Sequence, residues 1–287
     1  MTDRLRAAWA HGTQGYREAN GATGTDRPEA PSTSQPKTYA RDMVPIADRS
    51  STGNFLLDAL PPGDRASLLD RARTVRLAPE QVLIEAGDRI HHVVFPVTAV
   101  VSLLTTLRDG AAVETATIGR EGMLGVALFL HDDRAPNSRA VAQLAGNGIA
   151  VSADDFRGAL ADSAKLEGLM FSYTRALLVQ VAQSVACAAT HTIRERLARW
   201  LLQTTDRVGS ETVDLTHQFV SEILGVRRAS VTDALHSLRR TGAVDTRRGA
   251  IVITDRGCLA AAACECYRVL HDEYERIYGA PRDLAGV

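Results

Sequence analysis

Six arginines gather in one short stretch of an otherwise balanced chain. Between Thr216 and Arg248 stand Arg227, Arg228, Arg239, Arg240, Arg247 and Arg248, against Glu222, Asp233 and Asp245. The local net charge is +3, whereas the 287-residue chain has 33 Lys+Arg and 34 Asp+Glu, a formal net charge of −1. Guanidinium groups grip phosphate and read guanine edges in a bidentate way. A basic patch on a neutral chain suits a nucleic acid held by one face, not a globally basic coat.

The surrounding residues supply a frame for those arginines. In the segment 215–255 (LTHQFVSEILGVRRASVTDALHSLRRTGAVDTRRGAIVITD), Thr216 can cap a helix whose apolar face is Phe219, Val220, Ile223 and Leu224. Gly225 supplies a sharp turn. A second helix from Arg228 carries Val231, Ala234, Leu235 and Leu238 on one face. Two short helices joined by a Gly-containing turn form a helix-turn-helix. The spacing turns Ala229, Thr232, Asp233, His236 and Arg240 outward, with Arg227, Arg228 and Ser230 in the first turn. The second helix of such a unit enters the DNA major groove with its N-terminus leading. After Gly242, strands at 243–246 and 250–254 flank Arg247, Arg248 and Gly249, a hairpin tip that reaches for phosphate. Arg227, Arg228, Ala229, Ser230, Thr232, Asp233, His236, Arg247 and Arg248 are the candidate DNA-contacting residues.

Upstream, the pattern predicts three further regions. Residues 1–53 are poor in core formers, and 21–38 are rich in Gly, Ser, Thr and Pro, so a disordered tail is expected. From 54 to 164 the order is two short helices, with Asp64 placed to cap the second, then β-branched segments separated by turn signals. Arg108, Asp109 and Gly110 mark a hairpin, and Pro96 belongs at a strand edge or bulge. These strands predict a small β-roll. A long helix over 165–191 follows, and residues 176–190 (ALLVQVAQSVACAAT) contain no charge at all. A helix apolar nearly all round must be covered on more than one side. One stripe can pack on the β-roll while another meets a second copy of the chain. Met170, Tyr173, Leu177, Val181, Ser184, Val185 and Ala188 are the candidate dimer-helix residues, and a core helix of a monomer is the competing reading. The DNA-binding domain is then 192–279.

Other classes are poorly supported. The longest apolar run is eight residues, 123–130, against about 20 for a spanning helix, and the first residues lack a signal-peptide pattern. A cytoplasmic protein is expected. No G-x-S-x-G, P-loop, H-E-x-x-H or G-x-G-x-x-G motif is present, so no enzyme is expected. The four cysteines are Cys187, Cys258, Cys264 and Cys266. Cys264 and Cys266 form a C-x-C pair without a second pair at metal-ligand spacing, which reads as structural or incidental thiols with no metal, a redox or metal site being the alternative.

The order of β-roll, long helix and winged helix resembles the Crp/Fnr superfamily of bacterial transcription regulators over about residues 54–279. The likeness is specific in LTHQFVSEILGVRRASVTDALHSLRRTGAV and supported by GREGMLGVALF. It implies an α+β protein with a cyclic-nucleotide-binding-like β-roll, a dimerisation helix and a DNA-reading winged helix, and it adds Thr216, His217 and Gln218 to the candidate DNA contacts, at positions where the family touches backbone phosphate. Implied partners are double-stranded DNA, a second copy of the chain and RNA polymerase, with no membrane. The family's Arg-Glu-x3-Arg recognition pattern reads Arg228, Ala229 and Asp233 here, so a different operator is expected. Its Gly-Glu turn, which grips the ribose, reads Gly125 and Val126, and its Arg-Ser pair reads Ser138 and Arg139 in reverse. Cyclic AMP is therefore not the expected ligand. An anionic effector near Arg120, Gly122, Gly125, Val126, Ser138 and Arg139 is one reading, and a packed vestigial cassette is the other. The family's N-terminal iron–sulfur route is closed, because no cysteine precedes Cys187. A ligand sensor acting through a protein partner without DNA binding is the alternative function.

Overall fold

The computed structural model describes residues 44, 46, 51–106, 112–135, 138–247 and 249–279. Most of the expected tail therefore lies outside the described residues. Within it, Val44 exchanges two backbone hydrogen bonds with Thr74, at 3.0 and 2.8 Å.

Two short helices open the described chain, α1 (Phe55–Asp58) and α2 (Pro62–Asp70). Asn54 caps α1, accepting from Leu57 N at 3.2 Å. Asp64 does not cap α2 as expected. It sits in the first turn behind Pro61 and Pro62, and accepts from Ser163 Oγ at 2.6 Å. Seven strands follow: β1 (Ala72–Leu77), β2 (Val82–Ile84), β3 (His92–Pro96), β4 (Val100–Thr106), β5 (Ala112–Ile118), β6 (Ser138–Leu144) and β7 (Gly146–Ser152). They form two antiparallel sheets, ordered β1-β7-β3 and β2-β6-β4-β5. Val75, Leu77, Val94, Val101, Ile118 and Leu124 are buried together in the roll. Pro96 ends the edge strand β3, where its missing N–H breaks no ladder. The tip of the β4–β5 hairpin, where Arg108, Asp109 and Gly110 were expected, lies outside the described residues.

Helices α3 (Ala153–Asp162) and α4 (Ala164–Thr190) lead out of the roll. Each starts on a serine cap, Ser152 accepting from Asp155 N and Ser163 from Leu166 N, both at 3.1 Å. One face of α4 closes the sensor core: Leu166, Met170, Tyr173, Ala176 and Leu177 are buried. The opposite face leaves Phe171, Leu178 and Val185 exposed at 62%, 66% and 66%. Of the residues named for the dimer helix, Met170 and Tyr173 are taken up by the chain's own core and Leu177 is buried as well, so these three do not form an exposed seam. An uncharged helix announces two covered sides but does not say which stripe faces inward.

The C-terminal half begins with α5 (Ile193–Val208), which opens on a reciprocal capping box between Thr192 and Glu195. Then come β8 (Thr212–Val213), α6 (His217–Leu224), α7 (Arg228–Arg240), β9 (Val244–Arg247) and β10 (Ala250–Ile253). The sheet order is β8-β10-β9, so a third, two-residue strand joins the expected wing. Leu197, Trp200, Leu201, Val220, Val231, Leu235, Leu238, Ile251 and Leu259 make the core of this half. Two last helices, α8 (Arg256–Ala262) and α9 (Cys266–Tyr278), extend past the wing. The second returns to the sensor, where Tyr274 joins the core containing Met170 and Tyr173.

Candidate nucleic-acid interface

The interface is built on α6 and α7. Thr216 caps α6, its Oγ1 accepting from Phe219 N at 3.2 Å. Gly225 closes α6 in a left-handed conformation (φ 63°), which turns the chain sharply into α7. The first turn of α7 has no side-chain cap, so its free N–H groups and the Arg227 and Arg228 guanidiniums lie on one end of the helix. Val231, Ala234, Leu235 and Leu238 are buried on the inner side. Arg227, Arg228, Ala229, Thr232, Asp233, His236 and Arg240 are exposed on the outer side, and Ser230 is half-buried.

The expected residues fall together, with two qualifications of role. His217 Nδ1 and Thr232 Oγ1 lie 3.2 Å apart, so the start of α6 holds α7 through one of the contact candidates. Gln218 donates to Glu222 at 2.8 Å, so its amide is already engaged within α6. Arg239 lies 3.5 Å from Asp245, whereas Arg227, Arg228, Arg240 and Arg247 face solvent without a carboxylate partner among the described residues. Arg247 ends β9 on the exposed wing; Arg248 lies outside the described residues. This surface offers charge-assisted donors to an anion and hydrogen-bonding edges to bases.

The six residues expected to hold an effector do not converge. Arg120 lies over the Phe55 ring, 5.9 Å from its centroid. Gly122 abuts Tyr173 so closely that a Cβ would fall 2.4 Å from the ring. Gly125 backs onto Val93 and Ile90, and Val126 opens a single 3₁₀ turn against the sensor core. Arg139 Nε lies 3.2 Å from Glu85. Ser138 begins β6, and its side chain is outside the described residues. The glycines that suggested an anion loop serve close packing instead. A cavity of about 400 Å³ does exist elsewhere, between β5, α4, α5 and α6, and Thr115, Gln180, Arg196, Arg199 and Gln203 are among its lining residues.

Two family models match the chain. The cyclic nucleotide-binding domain covers residues 74–163, and the Crp-like helix-turn-helix domain covers residues 195–262, together more than half of the sequence. The chain belongs to the Crp/Fnr superfamily. FixK2 from Bradyrhizobium japonicum has the same fold at 18% identity, with a TM-score of 0.57 over 67% of this chain and 98% of that one. A CRP-family transcriptional regulator from Thermus thermophilus matches at 18% identity and a TM-score of 0.53, covering 73% and 99%. The c-di-GMP-responsive regulator CLP of Xanthomonas campestris matches at 15% identity and a TM-score of 0.54, covering 68% and 100%. No curated protein matches the sequence. The expected α+β architecture, transcription regulation and helix-turn-helix DNA binding thus stand for this Crp/Fnr chain.

Sequence reading missed the joint between its two halves. Arg207, near the end of α5, is buried and donates from Nε to Glu121 at 2.8 Å, from Nη1 to Thr117 Oγ1 at 2.5 Å and from Nη2 to Thr117 O at 3.2 Å. Burial alone would depress the Arg207 pKa, and Glu121, Tyr274 and Glu114 together more than offset it, so the pKa is raised. A Cβ on Gly119 would fall 2.5 Å from the Arg207 side chain, so this residue makes room for the bridge. Gln180 of α4 donates to Thr117 O at 2.9 Å, and Tyr274 of α9 donates to Gln180 at 3.2 Å. The Tyr278 hydroxyl donates to Glu121 O. Glu121 lies in the Gly-rich GREG segment, and Arg207 in a helix that also carries Arg194, Glu195, Arg196, Arg199 and Asp206, with nothing in the sequence to single it out. Nothing in spacing links residues 86 positions apart.

Proposed function

We propose that this Crp/Fnr chain is a homodimeric, sequence-specific DNA-binding transcription regulator acting on a near-palindromic operator. The observation that carries the reading is the exposed outer face of α7, with Arg227 and Arg228 at its leading end and no carboxylate on either among the described residues. Arg228 is placed to take a guanine through O6 and N7, Asp233 to accept from a cytosine N4, and Ala229 to offer only a methyl contact. Thr216, His217, Gln218, Arg247 and Arg248 are assigned to backbone phosphate.

The second copy is supported by α4. Phe171, Leu178 and Val185 recur at seven-residue intervals, with Thr174, Val181 and Ala188 between them. That is the heptad spacing of a two-stranded coiled coil, and its large members are exposed. Val181, Val185 and Ala188 from the original stripe fall on this repeat, and Ser184 lies beside it. Leu178→Asp should convert the dimer to a monomer by sedimentation equilibrium; an unchanged mass would remove α4 as the seam. Two copies would set recognition helices about 34 Å apart, one helical turn of DNA. RNA polymerase is the expected protein partner at a promoter. Cyclic AMP is not the proposed effector, because Val126 cannot accept from a ribose hydroxyl. No described helix is long and apolar enough to cross a membrane. Selection of a bound sequence from random duplexes tests the reading: an inverted repeat supports it, and no enriched sequence supports the protein-docking alternative.

A further inference from the structure

Three cysteines and a histidine meet where the long helix ends. Cys187 lies in the last turn of α4, and His191 follows four residues later at its C-terminal cap, so both project from one side of the helix end. Cys264 sits between α8 and α9, and Cys266 opens α9. The three thiols are buried, at 0%, 6% and 0% exposure. One ligand atom from each of the four residues lies within 4.8 Å of all the others.

We propose that these four residues form a tetrahedral Cys3His site for zinc. The Cys187 and Cys264 sulfurs are 3.6 Å apart, and the Cys266 sulfur is 3.6 Å from His191 Nδ1. A tetrahedron with metal–sulfur bonds of about 2.3 Å and a metal–nitrogen bond of about 2.0 Å has S···S edges of about 3.8 Å and S···N edges of about 3.5 Å. These two separations match the corresponding edges to within a few tenths of an ångström, and all four ligand atoms lie within 4.8 Å of one another. Thiols that simply filled a core would have no reason to gather with an imidazole nitrogen within 4.8 Å of one another. Soft thiolates with one imidazole select zinc over hard cations such as magnesium or calcium.

The outer partners are also in place. His191 Nε2 lies 3.1 Å from the Glu265 carboxylate, which fixes the ring so that Nδ1 faces the sulfurs. Gln183 donates to the Cys266 sulfur at 3.0 Å. With all three cysteines bound as thiolates, the zinc site carries a net charge of −1. Arg199 acts on the charge of Cys187, and Arg196 on those of Cys187 and Cys264. Four protein ligands leave no open position, so the site is structural or sensory and not hydrolytic. It would clasp α4 to the α8–α9 corner beside residues 190–192, where the chain passes from the sensor helix to α5. Occupancy would therefore set how the DNA-binding half is held. The zinc site stands whether or not the chain binds DNA.

The test uses the full-length chain, reduced and stripped of metal, then titrated with zinc(II) and separately with cobalt(II). The expected result is one ion per chain, and a cobalt spectrum with tetrahedral ligand-field bands and a thiolate charge-transfer band. Cys187→Ser, Cys264→Ser and Cys266→Ser should each abolish or shift that spectrum, whereas Cys258→Ser, at an exposed cysteine outside the cluster, should leave it unchanged. Glu265→Gln should weaken binding about 10–100-fold while keeping the tetrahedral spectrum. Because the unmutated chain gives the decisive spectrum, misfolding of a serine variant does not blur the outcome. Octahedral cobalt, no uptake by the reduced chain, a Cys187–Cys264 disulfide formed in place of metal binding, or loss on Cys258→Ser would each overturn the site.

Discussion

The outer face of α7 and the joint around Arg207 both depend on arginine, and they use it in opposite ways. On α7, Arg227, Arg228 and Arg240 face water without a carboxylate among the described residues. At the joint, Arg207 is 4% exposed and is held by Glu121 and Thr117. A buried unpaired charge is costly, so Arg207 must be satisfied inside the chain. An exposed unpaired guanidinium costs little and keeps its donors for a partner. The contrast separates a surface kept for something outside from a bridge that holds the sensor to the DNA-binding half.

The strongest way to break the contrast is at the joint. Arg207→Ala should lower stability by about 3–5 kcal/mol, because Glu121 is left buried and unpaired. Urea denaturation measures it, and the double change Arg207→Met with Glu121→Leu should recover most of the loss. A small effect of the single change would mean that the joint opens to water. Glu114 sharpens the same comparison. Burial pushes its carboxyl up to about 7, although Ser102 donates to it at 2.6 Å and Arg199 and Arg207 lie near. Its folded pKa exceeds the unfolded value, so the folded state binds the extra proton between those two values. Stability from this group is therefore greatest below the unfolded pKa and falls as pH rises through about 7. Glu114→Gln should remove that fall, on the order of 1–3 kcal/mol between pH 5 and 8; an identical pH profile would discard the assignment.

Changes on α7 and the wing should leave stability nearly untouched and alter binding instead. Arg228→Ala should cost about 1–3 kcal/mol of affinity and relax preference at one base position. Arg247→Ala should be smaller, weakening all sequences alike and reducing the salt slope by about one. If both variants lose affinity in the same sequence-blind way, the division between base reading and phosphate contact is wrong.

Much of this was legible in the sequence because local rules agreed. The strands of the sensor followed their β-branched runs, and the helix expected over 165–191 spans Ala164–Thr190. Thr216, Gly225 and the two apolar faces set α6 and α7 without ambiguity. Failures came where distant segments decide. Gly122 and Gly125 left open an anion loop or a packed cassette, and Tyr173, Val93 and Ile90 pack against them. β8 is two residues long, too short for any periodicity. The α9 helix went unread, and its return to the sensor rests on Tyr274 and Tyr278, which carry no local signature. The cysteines were judged by the search for a second C-x-C pair. The useful signal was Cys187 and His191 at helical spacing, and only folding brings it to Cys264 and Cys266.

The central claim is that the outer face of α7 reads a duplex in two symmetry-related copies. Hydroxyl-radical footprinting on the sequence selected by the full-length chain tests it most directly. The account predicts two protected half-sites of an inverted repeat about one helical turn apart, with discrimination lost at one symmetric base pair in Arg228→Ala. Uniform, salt-sensitive protection without half-sites, or a footprint indifferent to Arg228→Ala, would contradict it.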